Sequence, residues 1–563
     1  AIGALVARAF ADERAALRCV VEQQVRRART VGEELAPIEL VEETGLSDSA
    51  DGAHPDERTR PDGLREVEAT ADPHQAHPRD GVEATWSGVV APPPAAPRGR
   101  APWRMLAGAA IGAAVTWMIF ESGAQEHVRE GMLPRPAAGD ACARADRPVV
   151  ELSGDIERPA RLTCDKIYRL RFVTYVRPGA SLTIEPGTTI VGDRDTHGTL
   201  VVQPGAQIFA EGTADRPIVF TSEARPGERR AGDWGGLVLL GRAPTNLRGA
   251  DGRPTSGRVE GLATGGEFGG DDPEDSSGAL RHVRVEYAGV ELAPNNETNG
   301  ITFAGVGRGP IVDRVQVRHP ADDCFEFFGG TVDAKRLICQ DPGDDGFDWD
   351  LGYTGRLQFL LLRDGNDAPD TTAGLEGDNE PSGGADLPRS APTIANATLC
   401  GRGHRLAHEH YGALLRRGTA ATLGNLVMMG FEAPLDVRDR GTEARFFGGL
   451  WLARSFAAPL AHAEAPGGAG PLADDDAGLD EAALLIAAGA RTDDPDLPGC
   501  AETGGAGRYK PLVPLAAGAA APPDDGFFDA SARWAGAFRD VEDAWDVGWA
   551  VWSDPPLDAL RDR

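Results

Sequence analysis

Apolar and polar positions in the middle of the chain repeat with a spacing of 22 residues. The phrase Asp322–Phe327 (DDCFEF) returns 22 residues later as Asp344–Trp349 (DDGFDW). Apolar residues continue the spacing in three columns, which are Phe303, Phe325 and Phe347; Val315, Leu337 and Phe359; and Val317, Cys339 and Leu361. Columns kept in step at a fixed period are typical of a solenoid, in which each coil of chain stacks on the previous one. The pattern therefore predicts about 22 residues per coil.

Short apolar runs bent by Pro-Gly pairs precede this repeat. Leu182–Ile190 is echoed by Val201–Ile208, and each run contains one such pair. Pro presets the backbone for the first central position of a type II turn, and Gly adopts the positive φ at the second. The alternation of strand and corner predicts an all-β parallel solenoid over residues 149–460. Further strands are predicted at 217–222, 235–241, 280–288, 300–304, 392–400, 421–429 and 444–453, with 242–279 and 364–391 leaving the solenoid as loops.

The region that follows the solenoid has a different composition. Residues 461–523 are rich in Ala, Gly and Pro, with one helix predicted at 479–490. Residues 524–563 contain four tryptophans, and because the open ends of a solenoid must be covered, we predict that this aromatic segment caps one end. A platform for carbohydrate stacking is the alternative.

The region before the solenoid contains one hydrophobic segment, residues 105–121, which we interpret as a transmembrane or signal segment. Before it lie a charged helix (1–34) and a Pro-rich acidic stretch (35–104) that lacks the apolar residues for a core and is predicted to be disordered. Residues 122–148 form a second linker. Arginines precede the hydrophobic segment and glutamates follow it, which predicts a cytoplasmic N-terminus and a β-domain in the periplasm or outside the cell. The alternative is secretion after cleavage of a signal peptide.

The overall charge of −30 argues against a nucleic-acid partner, because phosphate binding requires a concentrated basic face. The chain contains no P-loop and no dinucleotide-binding fingerprint, so no nucleotide partner is predicted. Six of the seven cysteines follow the hydrophobic segment, in agreement with export. Cys142 and Cys164 bracket the first coil and could clamp it, although the pairing of the six is open.

Several motifs resemble those of a family of exported bacterial β-helix proteins, described as surface proteins or lipoproteins and similar in fold to pectin-lyase-like right-handed β-helices. The motifs are Gly232–Gly241 (GDWGGLVLLG), Gly269–Asp275 (GGDDPED), Asn295–Gly300 (NNETNG), Phe325–Val332 (FEFFGGTV), Phe527–Asp529 (FFD) and Trp545–Trp549 (WDVGW). The resemblance implies a right-handed parallel β-helix and an exported location. It implies no particular activity.

The repeated phrase also stacks carboxylates on carboxylates. Neighbouring strands lie about 4.8 Å apart, so like charges in one column require compensation. Calcium accepts six to eight oxygen ligands at flexible angles and could supply it. The candidate calcium ligands are Asp322, Asp323, Glu326, Asp344, Asp345, Asp348, Asp350, Glu376 and Asp378. Capping of turn amides, pairing with Arg314 or Arg336, and a catalytic role are the alternatives.

These observations predict a membrane-anchored β-helix with a binding or structural surface role, stabilised by calcium and able to contact a glycan or a surface partner. One alternative is a polysaccharide lyase or glycosidase acting on acidic glycans, with Lys335 or Arg336 as a conceivable base beside the acidic column. Another is the extracytoplasmic sensor domain of a receptor. His404, His408 and His410 are a weaker candidate for a transition-metal site.

Overall fold

The computed structural model describes residues 142, 144 and 146–553, with gaps at 294–295, 366–371, 381–385, 405, 407, 463–474 and 501–508. These residues belong to one compact unit, Gly108–Arg563. The predictions for 1–34, 35–104 and 105–121, and most of 122–148, lie outside the described residues. In the part of the chain that is described, no helix has both the length and the apolar character needed to cross a membrane.

The described chain is a parallel β-helix, as predicted. Its larger sheet has 14 strands, β1 (Val149–Leu152), β2 (Ala160–Leu162), β3 (Ile167–Leu170), β5 (Ser181–Ile184), β6 (Thr189–Gly192), β8 (Gln207–Glu211), β9 (Ile218–Ser222), β13 (Gly278–Glu286), β17 (Ile311–Arg318), β19 (Ala334–Gln340), β21 (Arg356–Arg363), β23 (Thr393–Cys400), β25 (Ala420–Met429) and β27 (Glu443–Ala453). Its second sheet has nine, β4 (Val173–Val176), β7 (Thr199–Val202), β10 (Leu237–Leu240), β16 (Ile301–Ala304), β18 (Phe325–Phe328), β20 (Phe347–Asp350), β22 (Thr372–Gly377), β24 (His410–Leu415) and β26 (Ala433–Val437). Two antiparallel hairpins leave the solenoid, β11 (Gly257–Arg258) with β12 (Glu267–Phe268), and β14 (Val290–Ala293) with β15 (Asn296–Thr298).

The 14-stranded sheet forms two faces of the solenoid. In β13, the first residues pair with β8 and the later ones with β9, and His282 lies between the two sets. Each later long strand has a residue with positive φ at the same register position: Arg314, Arg336, Phe359, Asn396 and Asn425. Positive φ is uncommon outside glycine, and here it lets each strand turn a corner without a loop. With the nine-stranded sheet, the solenoid therefore has three faces.

Aromatic rings stack from coil to coil inside the solenoid, but their register differs in part from the predicted one. Phe325 stacks on Phe347 with ring centroids 5.4 Å apart, as the spacing of 22 predicts. Phe303 pairs with Phe327 rather than Phe325, because the connection between β16 and β18 is two residues longer. The other two columns also end one residue late: Leu337 pairs with Leu360 and Cys339 with Leu362. The period of 22 therefore holds for a single step on each face.

The last coil is covered by a short helix rather than by the aromatic segment. The predicted helix is present as α1 (Glu481–Ala487), where the Asp480 side chain accepts a hydrogen bond from the Ala483 amide. Leu485 joins the core cluster of the solenoid. A bridge between Trp451 and Arg491 then extends the edge of β27. A 3-10 turn follows at Pro498–Cys500.

The aromatic segment lies along the flank of the solenoid, so the prediction that it caps an end was wrong. We call residues 509–553 the C-terminal strap. Fully buried amide side chains of successive coils bond to its backbone: Asn425 to Ala520, Asn396 to Trp534, Gln358 to Asp529 and Gln316 to Val551. The strap thus runs from late coils back to early ones. Phe538 and Trp549 are buried against the flank, which leaves these two rings unavailable for carbohydrate stacking.

We expect Gln316→Leu to loosen the end of the strap. Gln316 donates to the Val551 carbonyl at 2.7 Å and accepts from the Val551 amide at 3.0 Å. Leucine has a similar size but leaves both backbone groups buried without a partner, which costs about 2 kcal/mol of stability. Hydrogen exchange at residues 547–553 is expected to accelerate, whereas exchange in β18 and β20 is expected to stay unchanged in the same sample.

Three disulfides join distant parts of the described chain. Cys142 pairs with Cys164, which confirms the predicted clamp on the first coil. Cys324 pairs with Cys339 and links the repeated acidic phrase to β19. Cys400 pairs with Cys500 and ties the segment before the strap to β23. Structural disulfides of this kind persist in oxidising compartments.

Candidate metal centre

The carboxylates of the repeated phrase lie on the outer face of the nine-stranded sheet. Alternation along a strand points Phe325 and Phe327 into the core, where both are fully buried. Glu326 therefore points outward, and Asp348 is its register partner in the next coil. Glu376 continues the same column in β22. The predicted alternation is confirmed.

The turns before β18 and β20 add four more carboxylates, and two of them hold the turns together. Asp323 Oδ1 accepts a hydrogen bond from the Asp345 amide at 2.8 Å, so one coil caps the turn of the next. Asp345 Oδ1 accepts from the Ala373 amide in the same way. Turn capping, one of the predicted alternatives, thus accounts for one oxygen of each of these two side chains.

Carboxylate oxygens converge in two overlapping groups. The first consists of Asp322, Asp323 and Asp344, and the second of Asp323, Glu326 and Asp348. In each group the ligand oxygens lie within 4.8 Å of one another. Because Asp323 belongs to both, five carboxylates form one continuous centre, which we call the acidic centre.

The acidic centre is desolvated. Asp323 and Glu326 are each only 6% exposed. Burial, and then the charges of neighbouring carboxylates, hold the pKa values of Asp323, Glu326 and Asp348 well above the usual range. None of these three side chains forms an ion pair with a basic side chain in the described residues. Negative charge at neutral pH is therefore poorly compensated within this group.

One oxygen of the acidic centre has no hydrogen-bond donor. Asp348 Oδ1 is inaccessible to solvent and makes no hydrogen bond. A buried carboxylate oxygen left in this way costs free energy unless a proton or a cation occupies its lone pairs. Six to eight hard oxygens at flexible angles are the ligands calcium takes, and this all-carboxylate set therefore fits that ion.

The roof over the acidic centre comes from residues that the sequence did not indicate. The Asn299 side chain donates to Glu326 Oε2 and accepts from the Asp323 amide at 3.2 Å. Glu260 lies between β11 and β12, close enough to Glu326 to raise its pKa. Burial, and then Glu297, raise the pKa of Glu260 to about 7. Long excursions of unequal length bring Glu260 and Asn299 here, so no fixed spacing marks them.

The remaining predicted ligands lie beside the acidic centre in an arginine-rich group. Arg416 pairs with Glu376 and, at 3.0 Å, with Asp378, and Arg417 also pairs with Asp378. Asp350 accepts a hydrogen bond from the Leu351 amide, and burial raises its pKa to about 6. Asp345 adjoins both groups, since Asp344 raises its pKa and Arg416 lowers it.

The basic residues considered as partners or catalytic bases are elsewhere. Lys335 and Arg336 belong to β19 in the 14-stranded sheet, not to the face that carries the acidic centre. Arg336 and Arg314 both pair with Asp313, and Lys335 lies 4.6 Å from the Phe527 ring centroid of the strap. The expectation that these residues stand beside the acidic column was wrong, because they occupy a different face of each coil.

The histidines do not form a ligand group in the described residues. His410 is fully buried, with Nε2 3.6 Å from Asp364 Oδ2, and Asp364 pairs with Arg402 at 2.9 Å. His404 is near the Arg402 carbonyl, at 3.1 Å. The groups of three possible ligands found in the described chain contain carboxylates alone. The transition-metal site therefore gains no support from the placement of His404, His408 and His410.

Comparison with known proteins gives one match. A family model described as a pectate-lyase-like beta helix domain matches residues 154–457, more than half of the chain. The matched range contains the acidic centre and ends before α1 and the strap. No curated protein matches the chain. No solved structure matches it either.

Proposed function

Because the chain belongs to the pectate-lyase-like β-helix domain family, we propose that it is an exported β-helix whose acidic centre holds calcium. In this proposal the ion stabilises the coils, and the outer surface has a binding or structural role toward a glycan or another surface partner. Calcium joins two coils at β18 and β20 and the loop that carries Asn299. Its loss would weaken the roof as well as the coils.

The observation that carries the proposal is the group formed by Asp323, Glu326 and Asp348. Their oxygens lie within 4.8 Å of one another, they are desolvated, and Asp348 Oδ1 has no donor. Without a cation, these carboxylates must take up protons or repel one another. Two neighbouring strands hold them at the same register, so the ligands are placed before an ion binds.

Asp348→Asn is expected to weaken calcium binding at least tenfold, because it removes one charge and one oxygen ligand without a change of size. Isothermal calorimetry on the full chain at pH 7.5 measures this loss. Asp493→Asn is the matched control, since Asp493 is 57% exposed and pairs only with Arg491 among the described residues. Equal affinity in the wild type and the Asp348 variant would refute the proposed ligand set.

The proposed exported location rests on the three disulfides, which require an oxidising compartment to persist. We propose that residues 105–121 anchor the chain, with the β-helix in the periplasm or at the cell exterior. Separation of membranes from soluble protein tests the anchor. Retention of the full-length chain in the membrane fraction after a high-salt and carbonate wash supports it, and release of a processed β-helix supports secretion.

A polysaccharide-degrading enzyme is the second candidate. A glycosidase requires one carboxyl group that stays protonated near neutral pH beside one that is ionised, and the raised pKa values in the acidic centre meet the first requirement. A lyase is less well supported, because Lys335 and Arg336 lie on another face. Incubation with acidic polysaccharides, followed by assays for reducing ends and unsaturated products, separates the two. Activity lost in Glu326→Gln with the fold intact would establish the enzyme.

A further inference from the structure

Three arginines converge on a single glutamate on the flank of the solenoid, away from the acidic centre. Glu286, at the end of β13, is 3% exposed and accepts a hydrogen bond from Thr221 at 2.9 Å. Arg284 Nε lies 3.1 Å from its carboxylate, Arg229 Nη1 3.6 Å and Arg318 Nη1 3.8 Å. We call Arg229, Arg284 and Arg318 the arginine cluster.

Two members of the cluster keep donors that the protein does not use. Arg284 gives Nε to Glu286 and Nη1 to the Trp549 carbonyl, and its Nη2 makes no hydrogen bond in the described chain. Arg229 gives Nε to the Ala224 carbonyl, and its contact with Glu286 is too long for a hydrogen bond. Their side chains are 17% and 19% exposed, so solvent reaches both.

The charge of the cluster is not balanced by Glu286. Arg229 and Arg284 have no other ion-pair partner in the described residues, so three guanidinium groups share one carboxylate. Burial, and then repulsion from Arg318 and Arg229 against the attraction of Glu286, lower the pKa of Arg284. In a chain of net charge −30, such a local excess of positive charge is unusual. An anion placed against it would relieve the repulsion.

We propose that the arginine cluster binds a small oxyanion, a sulfate or carboxylate group, held by Arg284 Nη2 and the Nη groups of Arg229. Guanidinium donors match the oxygens of both groups and form charge-assisted hydrogen bonds with them. Glu286 fixes the two side chains from below, so the donors are held in position before the ligand arrives. The site is independent of the proposed calcium centre.

Titration of the full chain with sodium sulfate, compared with sodium chloride at equal ionic strength, tests the proposal. We expect calorimetric binding of sulfate and an upward shift of the melting temperature, both absent with chloride. Sodium acetate forms a second arm: binding of both anions indicates a general oxyanion site, and binding of one alone identifies which geometry the site accepts. Equal behaviour in all three salts would overturn the proposal.

Arg229→Gln is expected to weaken binding of the preferred anion at least fivefold. This variant keeps the Arg284 contact with the strap, so it should fold. Arg158→Gln is the matched control, because Arg158 is exposed and has no ion pair in the described residues. Arg284→Lys, which keeps the charge but loses the planar fork, should give an intermediate affinity. Unchanged affinity in Arg229→Gln, or an equal loss in Arg158→Gln, would show that the anions do not bind at the cluster.

Discussion

Arg416→Met is expected to destabilise the calcium-free protein by about 3 kcal/mol at pH 7.5. Arg416 pairs with both Glu376 and Asp378, and its side chain is 26% exposed. Methionine preserves the length of the side chain but leaves these carboxylates without their main counter-charge. The charge of Arg416 also acts on Asp345 and Asp348, so its loss increases the repulsion in the acidic centre. Urea unfolding in EDTA measures the change.

Arg445→Met is the control for Arg416. Arg445 pairs with Glu443 at the surface and its side chain is 58% exposed, so its replacement should change stability little. Excess calcium should restore part of the stability lost in Arg416→Met, because the ion supplies positive charge close to the same carboxylates. A loss below about 1 kcal/mol in EDTA would mean that these carboxylates are already neutral or solvated.

The calcium-free protein is expected to become more stable as the pH falls from 8 to 5. The pKa values of Asp323, Glu326, Asp345 and Asp348 are raised in the folded chain, and those of Asp350 and Glu260 rise to about 6 and about 7. Over this range the folded state binds more protons than the unfolded state, so the free energy of unfolding falls as the pH rises. The shift at Asp350 alone corresponds to about 3 kcal/mol. Urea unfolding in EDTA at each pH measures the slope.

Calcium should flatten or reverse this dependence, because the ion competes with protons for the same oxygens. The comparison requires only a second series in excess calcium. Below the ordinary pKa of a carboxyl group the exposed ion pairs are also lost, so pH 5 is the lower limit of the test. A calcium-free protein that is more stable at pH 8 than at pH 5 would show that the acidic centre is compensated by other means.

Local pattern predicted those parts of the fold that depend on neighbouring residues. Alternation placed Phe325 and Phe327 in the core and Glu326 outside, and the N-terminal signal at Asp480 marked the start of α1. The spacing of 22 identified the solenoid, but it did not give the register of Phe303, because connections between coils differ in length. The corner residues were also invisible, since Arg314, Phe359 and Asn396 are not residue types that usually adopt positive φ.

The candidate site was predicted in outline and not in its boundaries. Asp322, Asp323, Glu326, Asp344 and Asp348 do come together, because the two copies of the phrase lie in adjacent coils. Arg416 and Glu260 belong to the same surroundings but are separated from them in sequence by excursions of irregular length. The strap was misassigned for a similar reason: its anchors, Gln316 and Asn425, become a column only when the coils are stacked.

Thermal melting of the full chain at pH 7.5, with calcium and with EDTA, tests the proposed calcium centre most directly. The proposal predicts a higher melting temperature in millimolar calcium, a rise that depends on calcium concentration and is not reproduced by magnesium at the same ionic strength. Mass action sets the scale, about 2.7 kcal/mol when the ion is present at a hundred times its dissociation constant. Identical melting curves in calcium and EDTA would contradict it.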